Sequence, residues 1–406
     1  MEPLPVARGD RVGVVLLYLG GPDTAEDVLP FLYNLFMDPA VLDLPCGGLM
    51  RSWLSRAAAT LRCKSVRKEY EAIGGSSPVN RLAKEQAESL EALLNSKQGP
   101  APGVAFRTYV AMRYWHPYCE ETALRMQQDG INKVVLLPLF PQYSKTTTGS
   151  TLAYWQALER QGEIPSWPTT CVVEYAAHPK YVQAVSERID EALQRFPRRL
   201  RDDVPLLFSA YGTPLREMKE RGDPHCCLIH DTVDRVMAHR RTQRPYQVAF
   251  HGKAGPAEWL TPATSDALND LARRGHTSVL VVPIALVTEH LETTYVLDIV
   301  LREQAAAAGM SYYEVMPALN CHPLFIQGLA EALAKQLALG HEAEPVNGFA
   351  NGYKLAAFEP PVWRTHSSGR CSSCAQCRHL AEARRWTAGD PVQLRINPSR
   401  TDLSGV

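Results

Sequence analysis

The chain has 406 residues, of which 45% are hydrophobic and 21% charged, and its 43 basic and 43 acidic side chains leave no net charge. This composition is typical of a globular protein with a substantial core, and the lack of a basic excess argues against a nucleic-acid partner. The N-terminal sequence has no signal-peptide pattern, and no stretch offers the roughly 18 apolar residues of a membrane span. We therefore expect a cytoplasmic protein, in which the 10 cysteines stay reduced.

Short apolar, β-branched runs alternate with helical patterns along most of the chain. Apolar strands that alternate with helices predict an α/β protein with parallel sheets covered on both faces. Two sets of four strands predict two Rossmann-like halves, 1–175 and 176–340, followed by a C-terminal extension, 341–406. Ligands of such folds bind at the carboxyl ends of the strands. The predicted strands are Val12–Leu19, Val104–Met112, Lys133–Phe140, Thr169–Glu174, Val204–Ala210, Tyr246–His251, Thr277–Leu286 and Met310–Val315.

The segment 41–64 interrupts this alternation. Its apolar side chains, among them Leu49, Trp53 and Leu61, recur near helical spacing, and its basic side chains fall on other faces. The simpler interpretation is a helix packed on its own core. The alternative is an amphipathic lip that dips into a membrane surface or guards an apolar substrate.

A cluster of titratable residues in VTEHLETTYVLDIV, residues 287–300, follows the strongest predicted strand. His290 and Glu292 converge only if the backbone is extended or irregular, because side chains two apart on a helix diverge by about 200°. A carboxylate–imidazole cluster that includes Glu289 and Asp298 suits proton abstraction or transient metal delivery. The alternative is a solvated helix start without a function.

Three cysteines near the C-terminus, Cys371, Cys374 and Cys377 in CSSCAQC, form two consecutive C-x-x-C spacings. In a reducing compartment this spacing indicates a metal site, and soft thiolates suit zinc or an iron–sulfur cluster. A four-coordinate site needs one more ligand from elsewhere in the chain.

Taken in order, several motifs resemble those of the ferrochelatase family across residues 10–335. They are LGGP, IGGSSP, MRYWHP, PQYSKTTTGS, FSAYGTP, GDP, WLTP, VPIALVTEHLETTYVLD and LNCHPLF. The resemblance implies a chelatase fold, in which two pseudo-symmetric halves with four-stranded parallel sheets enclose a cleft. It also implies insertion of Fe²⁺ into protoporphyrin IX to form haem, the last step of haem biosynthesis. The C-terminal cysteines resemble those of members with a [2Fe–2S] cluster, although animal enzymes space the second pair more widely.

The family's functional residues map onto this chain by motif position. His290 and Glu292 match the family's paired His and Glu, which line one wall of the pocket, act in catalysis and meet the substrate iron. Arg113 and Tyr114 match an Arg–Tyr pair on the opposite wall. An apolar residue at Leu19 resembles the protoporphyrin-type enzymes, since members that use coproporphyrin carry tyrosine there. The positions that match porphyrin contacts are Leu19, Tyr70, Ser77, Trp259 and, by a looser alignment, Arg62.

Tyr211, at the tip of the strand in LLFSAYGTP, is the main departure from the family. The family carries a histidine at this catalytic position, where it is the leading candidate for proton acceptor and metal contact. Tyrosine has a reference pKa near 10, so it is a poor base at neutral pH. We consider three interpretations: a natural or engineered substitution that loses activity, a variant that works with Glu292 and His290 alone, or a haem or porphyrin carrier or sensor with little turnover. The first predicts that Tyr211→His raises the metallation rate.

Other departures affect iron delivery and the cluster. Val296 and Val300 replace acidic residues that continue the carboxylate line of animal members. Ala184 stands where animal enzymes carry the distant cluster cysteine. The candidates for a fourth cluster ligand are therefore Cys171, Cys226, Cys227 and Cys321.

The resemblance also implies partners and a location. The small-molecule partners are protoporphyrin IX, Fe²⁺ and haem, and the segment 41–64 falls on the family's apolar lip, which meets membrane-dissolved porphyrin. We expect a bacterial cytoplasmic enzyme with peripheral contact to the inner membrane, and a homodimer is compatible with the resemblance. A zinc-stabilised α/β protein of unrelated function is the weakest alternative.

Overall fold

Two four-stranded parallel sheets form the centre of the protein, described here from a computed structural model. The structure describes residues 3–42, 47–97, 99–242, 244–253 and 257–339. The sheets have the orders β3-β2-β4-β5 and β7-β6-β8-β9, so both follow the same arrangement, and a small third sheet pairs β1 with β10. The strands are β1 Leu4–Val6, β2 Arg11–Tyr18, β3 Ala105–Met112, β4 Lys133–Pro138, β5 Thr169–Cys171, β6 Leu206–Tyr211, β7 Tyr246–His251, β8 Ser278–Pro283, β9 Tyr312–Val315 and β10 Leu337–Leu339.

The helices surround these sheets, and two segments wind as π-helices. The segment 41–64 contributes to the longest helix, which begins at Gly48 and extends past the predicted segment to Ala72. The helices are α1 Val28–Met37, α2 Gly48–Ala72, α3 Val79–Leu94, α4 Cys119–Gln128, α5 Ser150–Gln161, α6 Pro179–Leu193, α7 Leu215–Lys219, α8 His225–Arg240, α9 Thr264–Arg273, α10 Leu301–Ala307 and α11 Pro323–Ala334, with π1 Lys145–Gly149 and π2 Glu292–Val300.

All eight predicted strands are present, with their ends moved by up to three residues. The equal strand orders confirm the predicted α/β fold with two pseudo-symmetric halves. The β1–β10 pair was not predicted, because each strand has three residues and the two are more than 300 residues apart in the chain. None of the helices in the described ranges is both long enough and apolar enough to span a membrane.

The alternation of side chains along β6 and β7 decides which residues reach the site. Phe208 and Ala210 face a core that both sheets share, since it also contains Leu16 of β2. Leu207 and Ala249 instead pack with α9 and π2. Because strand side chains alternate, the odd-numbered residues at the ends of both strands share the α9–π2 side.

Candidate active site

The tip of β6 presents Tyr211 at the carboxyl edge of the second sheet. Its ring packs against Gly252, where a Cβ atom would lie 2.7 Å from the ring and where φ is +84°. Glycine therefore provides both the left-handed backbone and the space for the ring. His225 donates from Nε2 to the backbone oxygen of Tyr211 at 3.0 Å, which fixes the strand end.

His290 and Glu292 come together where the irregular chain after β8 enters π2. Nδ1 of His290 lies 2.5 Å from Oε2 of Glu292, and the Glu292 backbone N–H points at the same nitrogen from 3.0 Å. Thr294 donates to the His290 backbone oxygen at 2.8 Å and holds the bend. The convergence of two residues so close in sequence therefore comes from a backbone that is irregular at His290 and helical from Glu292.

Electrostatics make Glu292 the centre of the site. Burial alone would raise its pKa, but the imidazole of His290 and, more weakly, that of His251 lower the pKa of Glu292 to about 2. Burial, reinforced by the charge of Glu292, raises the pKa of Tyr211 to about 12. The same two causes raise the pKa of Tyr70. Glu292 therefore adjoins side chains from both halves of the fold.

Tyr70 and Ser77 form a hydroxyl pair at the end of α2. The Ser77 hydroxyl lies near the Tyr70 phenol and partly offsets the effect of burial on the pKa of Tyr70, and both residues are buried. Gly21 approaches closely, because a Cβ atom there would lie 2.4 Å from Oγ of Ser77. The Gly-rich turn after β2 thus packs directly on this pair.

Arg113 and Tyr114 are buried in a network centred on Asp38. Nη2 of Arg113 lies 2.9 Å from Oδ2 of Asp38, and the Tyr114 hydroxyl donates to the same oxygen at 2.8 Å. The Arg113 guanidinium also stacks 4.1 Å from the centre of the Tyr154 ring. Asp38 raises the pKa of Arg113 against the lowering effect of burial, so the guanidinium is charged.

The remaining predicted porphyrin contacts differ in exposure. Leu19 is half-buried, and its backbone oxygen accepts a hydrogen bond from the Tyr114 backbone N–H at 3.0 Å. Arg62 is exposed on α2. Trp259 is half-buried and lines a cavity of about 370 Å³ beside the tip of β7. These three side chains therefore differ in how far they are open to solvent.

Two acidic residues of the predicted cluster have partners of their own. Glu289 accepts the backbone N–H of Ala318 at 2.8 Å, and Asp298 pairs with Arg302 at 2.5 Å. Within the described ranges, no group of three or more His, Cys, Asp or Glu side chains is arranged to hold a metal ion. Of the predicted carboxylate–imidazole cluster, only His290 and Glu292 therefore contact each other.

His251 is a site residue that no sequence motif predicted. This residue ends β7 beside Tyr211, their ring centres are 6.0 Å apart, and its charge state influences Glu292. Its position as the last residue of a predicted strand indicated that His251 could lie at the carboxyl edge of the sheet. Its position next to Tyr211 could not be predicted, because no motif shows that β7 pairs with β6.

A family model described as ferrochelatase matches residues 11–337. The chain belongs to the ferrochelatase family. Curated ferrochelatases include that of Trichodesmium erythraeum, 40% identical over 328 residues that cover 80% of this chain and 83% of the relative. That of Gloeobacter violaceus is 39% identical over 332 residues, 81% of this chain and 98% of the relative. The solved structure of SirB from Bacillus subtilis with Fe³⁺ covers 81% of this chain and 96% of its own, with a TM-score of 0.48 and 10% identity.

Family membership confirms the activity predicted from the sequence. The chain is a porphyrin metal chelatase whose metal substrate is Fe²⁺, in the terminal step of haem biosynthesis, and the carrier alternative is not favoured. The matched range ends at residue 337. Cys371, Cys374 and Cys377 lie beyond it and outside the described residues.

Proposed function

We propose that the cleft around Glu292 inserts Fe²⁺ into protoporphyrin IX and that the His290–Glu292 pair handles the metal. The observation that carries this proposal is a carboxylate paired with an imidazole, Oε2 of Glu292 lying 2.5 Å from Nδ1 of His290, whose charge influences Tyr70 of one half and Tyr211 of the other. Such a carboxylate stays ionised at neutral pH and attracts a divalent cation. Nε2 of His290 is buried with no hydrogen-bond partner among the described residues, so it is available as a nitrogen ligand.

The porphyrin requires apolar walls and donors for its anionic edges, because it is a flat apolar disc with two propionates. Trp259 and Leu19 supply apolar surface, and the Tyr70–Ser77 hydroxyl pair supplies donors. Arg62, exposed on the same helix as Tyr70, supplies a positive charge for a propionate that projects from the cleft. These roles follow the family resemblance and agree with the burial of each side chain.

Arg113 and Tyr114 are buried behind the opposite wall of the cleft and support it. Their bonds to Asp38 fix the loop after β3. The Tyr114 N–H donates to the backbone oxygen of Leu19, which supports a role for the apolar Leu19 side chain in lining the cleft. In this proposal the pair shapes the porphyrin pocket, and the Arg113 guanidinium stays paired with Asp38 and does not bind the substrate.

The apolar face of α2 is proposed to contact the membrane that holds the substrate. Leu49, Trp53 and Leu61 are 93%, 67% and 83% exposed, and they fall within about 120° of the helix circumference. The expectation that the basic side chains fall on other faces is wrong for Arg56 and Lys64. Lys64 is exposed within this arc and Arg56 beside it, and both complement anionic headgroups.

The family resemblance is also compatible with a homodimer, and sedimentation velocity tests this expectation.

A [2Fe–2S] cluster is proposed on Cys371, Cys374 and Cys377, because three thiolates at this spacing suit such a cluster. Of the candidate fourth ligands, Cys171 fits poorly, since it is 1% exposed and burial raises its pKa. Cys227 and Cys321 are both partly exposed and fit better. When bound, the cluster would supply a redox-active centre that ties the tail to the body. Metal analysis and visible absorption of anaerobically prepared protein test it, and zinc or no metal would contradict it.

Single-turnover mixing with protoporphyrin IX and Fe²⁺ under anaerobic conditions tests the activity. We expect metallation faster than in a protein-free control. Porphyrin binding without such metallation would instead support the carrier alternative.

A further inference from the structure

An imidazole stands one strand away from Tyr211, at the same level of the sheet. His251 of β7 is the register partner of Tyr211 in the parallel β6–β7 pair. Register partners in a parallel pair point to the same face, and their rings meet edge to face, with an interplanar angle of 83° and centres 6.0 Å apart. The side chain of His251 therefore projects beside the strand tip where the family carries its histidine.

Two buried hydroxyls orient this imidazole. Nδ1 of His251 lies 2.8 Å from Oγ of Ser209, and Oγ of Ser209 lies 2.8 Å from Oγ1 of Thr264 at the start of α9. Ser209 is fully buried and sits two residues before Tyr211, on the same face of β6. When Nδ1 carries the hydrogen and donates it to Ser209, the Ser209 hydroxyl donates onward to Thr264. In that tautomer Nε2 presents its lone pair.

Nε2, the second ring nitrogen of His251, is available to bind a ligand. His251 is 7% exposed, and its Nε2 has no hydrogen-bond partner among the described residues. The residue lines the cavity of about 370 Å³ that Trp259 also lines. A buried polar atom normally has a partner, so this unpartnered nitrogen, in a residue that also lines a cavity, indicates a bound molecule with a donor.

At neutral pH His251 offers a free lone pair, whereas Tyr211 keeps its proton. Burial lowers the pKa of His251 to about 4, with a smaller lowering by His290 and an opposing effect of Glu292. The imidazole is therefore neutral at pH 7, whereas the Tyr211 phenol, with a pKa of about 12, keeps its proton. Of these two neighbouring side chains, His251 is the one with an open lone pair.

We propose that Nε2 of His251 accepts the pyrrole protons that leave the porphyrin as Fe²⁺ enters, in place of a histidine at position 211. This inference rests on the proposed function of the cleft. Each pyrrole N–H gives its proton to Nε2, and the electron pair left on the pyrrole nitrogen forms the bond to Fe²⁺. Burial disfavours the imidazolium and Glu292 offsets this only in part, so the imidazolium passes the proton on to water, and the step repeats for the second N–H. Two protons are released, the iron stays ferrous, and Ser209 acts as a positioning residue.

Single-turnover rates of four proteins test this assignment: wild type, His251→Gln, the double variant Tyr211→His/His251→Gln, and His178→Gln. We expect His251→Gln to lower the metallation rate by about 10²-fold or more, while porphyrin affinity measured by fluorescence stays within about threefold. The double variant should recover at least about tenfold, because it restores an imidazole at the adjacent tip. His178 is a buried histidine at the start of α6, so His178→Gln is the matched control and should keep the wild-type rate.

Chemical rescue guards against a merely structural effect of the substitution. In His251→Ala, added imidazole should restore part of the metallation rate, and it should leave His178→Ala unchanged. If His251→Gln metallates within about threefold of wild type, or loses porphyrin affinity as fully as rate, His251 is not the acceptor. If wild type is no faster than the protein-free control, the proposed function itself fails, and the assignment of His251 fails with it.

Discussion

At the residue scale, the site divides into residues that a motif reveals and residues that only the sheet register reveals. His290 and Glu292 could be predicted because they are neighbours in sequence and follow a strong strand. His251 could not, because its contact with Ser209 joins residues 42 apart in sequence through the β6–β7 pairing. The partner of Arg113 was missed for the same reason, since Asp38 lies in no motif that points to it.

The Tyr211 hydroxyl should matter little for proton transfer. A phenol with a pKa of about 12 is neutral at pH 7 and accepts no pyrrole proton. We expect Tyr211→Phe, which keeps the ring against Gly252, to change the metallation rate by less than about tenfold. Steady-state rates with protoporphyrin and Fe²⁺ measure this. A loss beyond about 10²-fold would show that the hydroxyl takes part in the reaction.

The burial of neutral His251 should make stability depend on pH. Its folded pKa of about 4 lies below the ordinary 6.5, so between these values the unfolded chain binds more protons. Stability therefore rises with pH across this window, by up to about 3 kcal/mol from this group. The titratable groups around it are Glu292 and His290, with Lys253, Glu258 and Asp266 along the cavity.

Urea denaturation of wild type and His251→Gln at several values between pH 5 and pH 7 measures this dependence. Glu292 does not contribute there, because its lowered pKa makes its contribution fall only below the ordinary pKa of 4.5. The free energy of unfolding should rise less steeply with pH in the variant than in wild type. Equal slopes would mean that His251 titrates normally in the folded protein.

At the scale of elements, strands were predicted more reliably than their surroundings. β-branched, apolar runs are buried on both faces and leave a clear pattern, which is why all eight strands of the two sheets were found. The π-helical start of π2 leaves no such pattern, and it is what brings His290 against Glu292. The helix in 41–64 was expected, but its continuation to Ala72, which positions Tyr70, was not.

The exposed face of α2 should control membrane binding. Replacing Leu49, Trp53 and Leu61 with serine removes the largest exposed apolar groups of this helix. We expect the triple variant to bind anionic lipid vesicles at least about tenfold more weakly, given about 1 kcal/mol or more per removed side chain. Leu124→Ser on α4, where the side chain is 56% exposed, is the matched control. Equal vesicle co-sedimentation of all three proteins would exclude α2 as the contact.

At the scale of the whole molecule, one shared core joins the two sheets and the chain ends of the described fold. The core cluster contains Leu4 of β1 and Leu337 of β10 together with strands of both sheets. The family match ends at the same residue 337. The catalytic body thus ends at β10, which pairs with β1 near the start of the chain and precedes the segment that carries Cys371, Cys374 and Cys377.

Truncation should separate this body from the remainder of the chain. A chain that ends after residue 340 keeps the β1–β10 pair, so we expect it to retain porphyrin metallation and to melt within a few degrees of the full chain. A chain that ends after Lys335 loses that pair, the bond from the Leu4 N–H to the Gln336 oxygen and the burial of Leu337. Those losses amount to about 3–5 kcal/mol and should lower the melting temperature by about 4–7 °C. If the longer truncated chain keeps its melting temperature but loses metallation, residues beyond 340 take part in metal insertion, and the site is not complete within the two sheets.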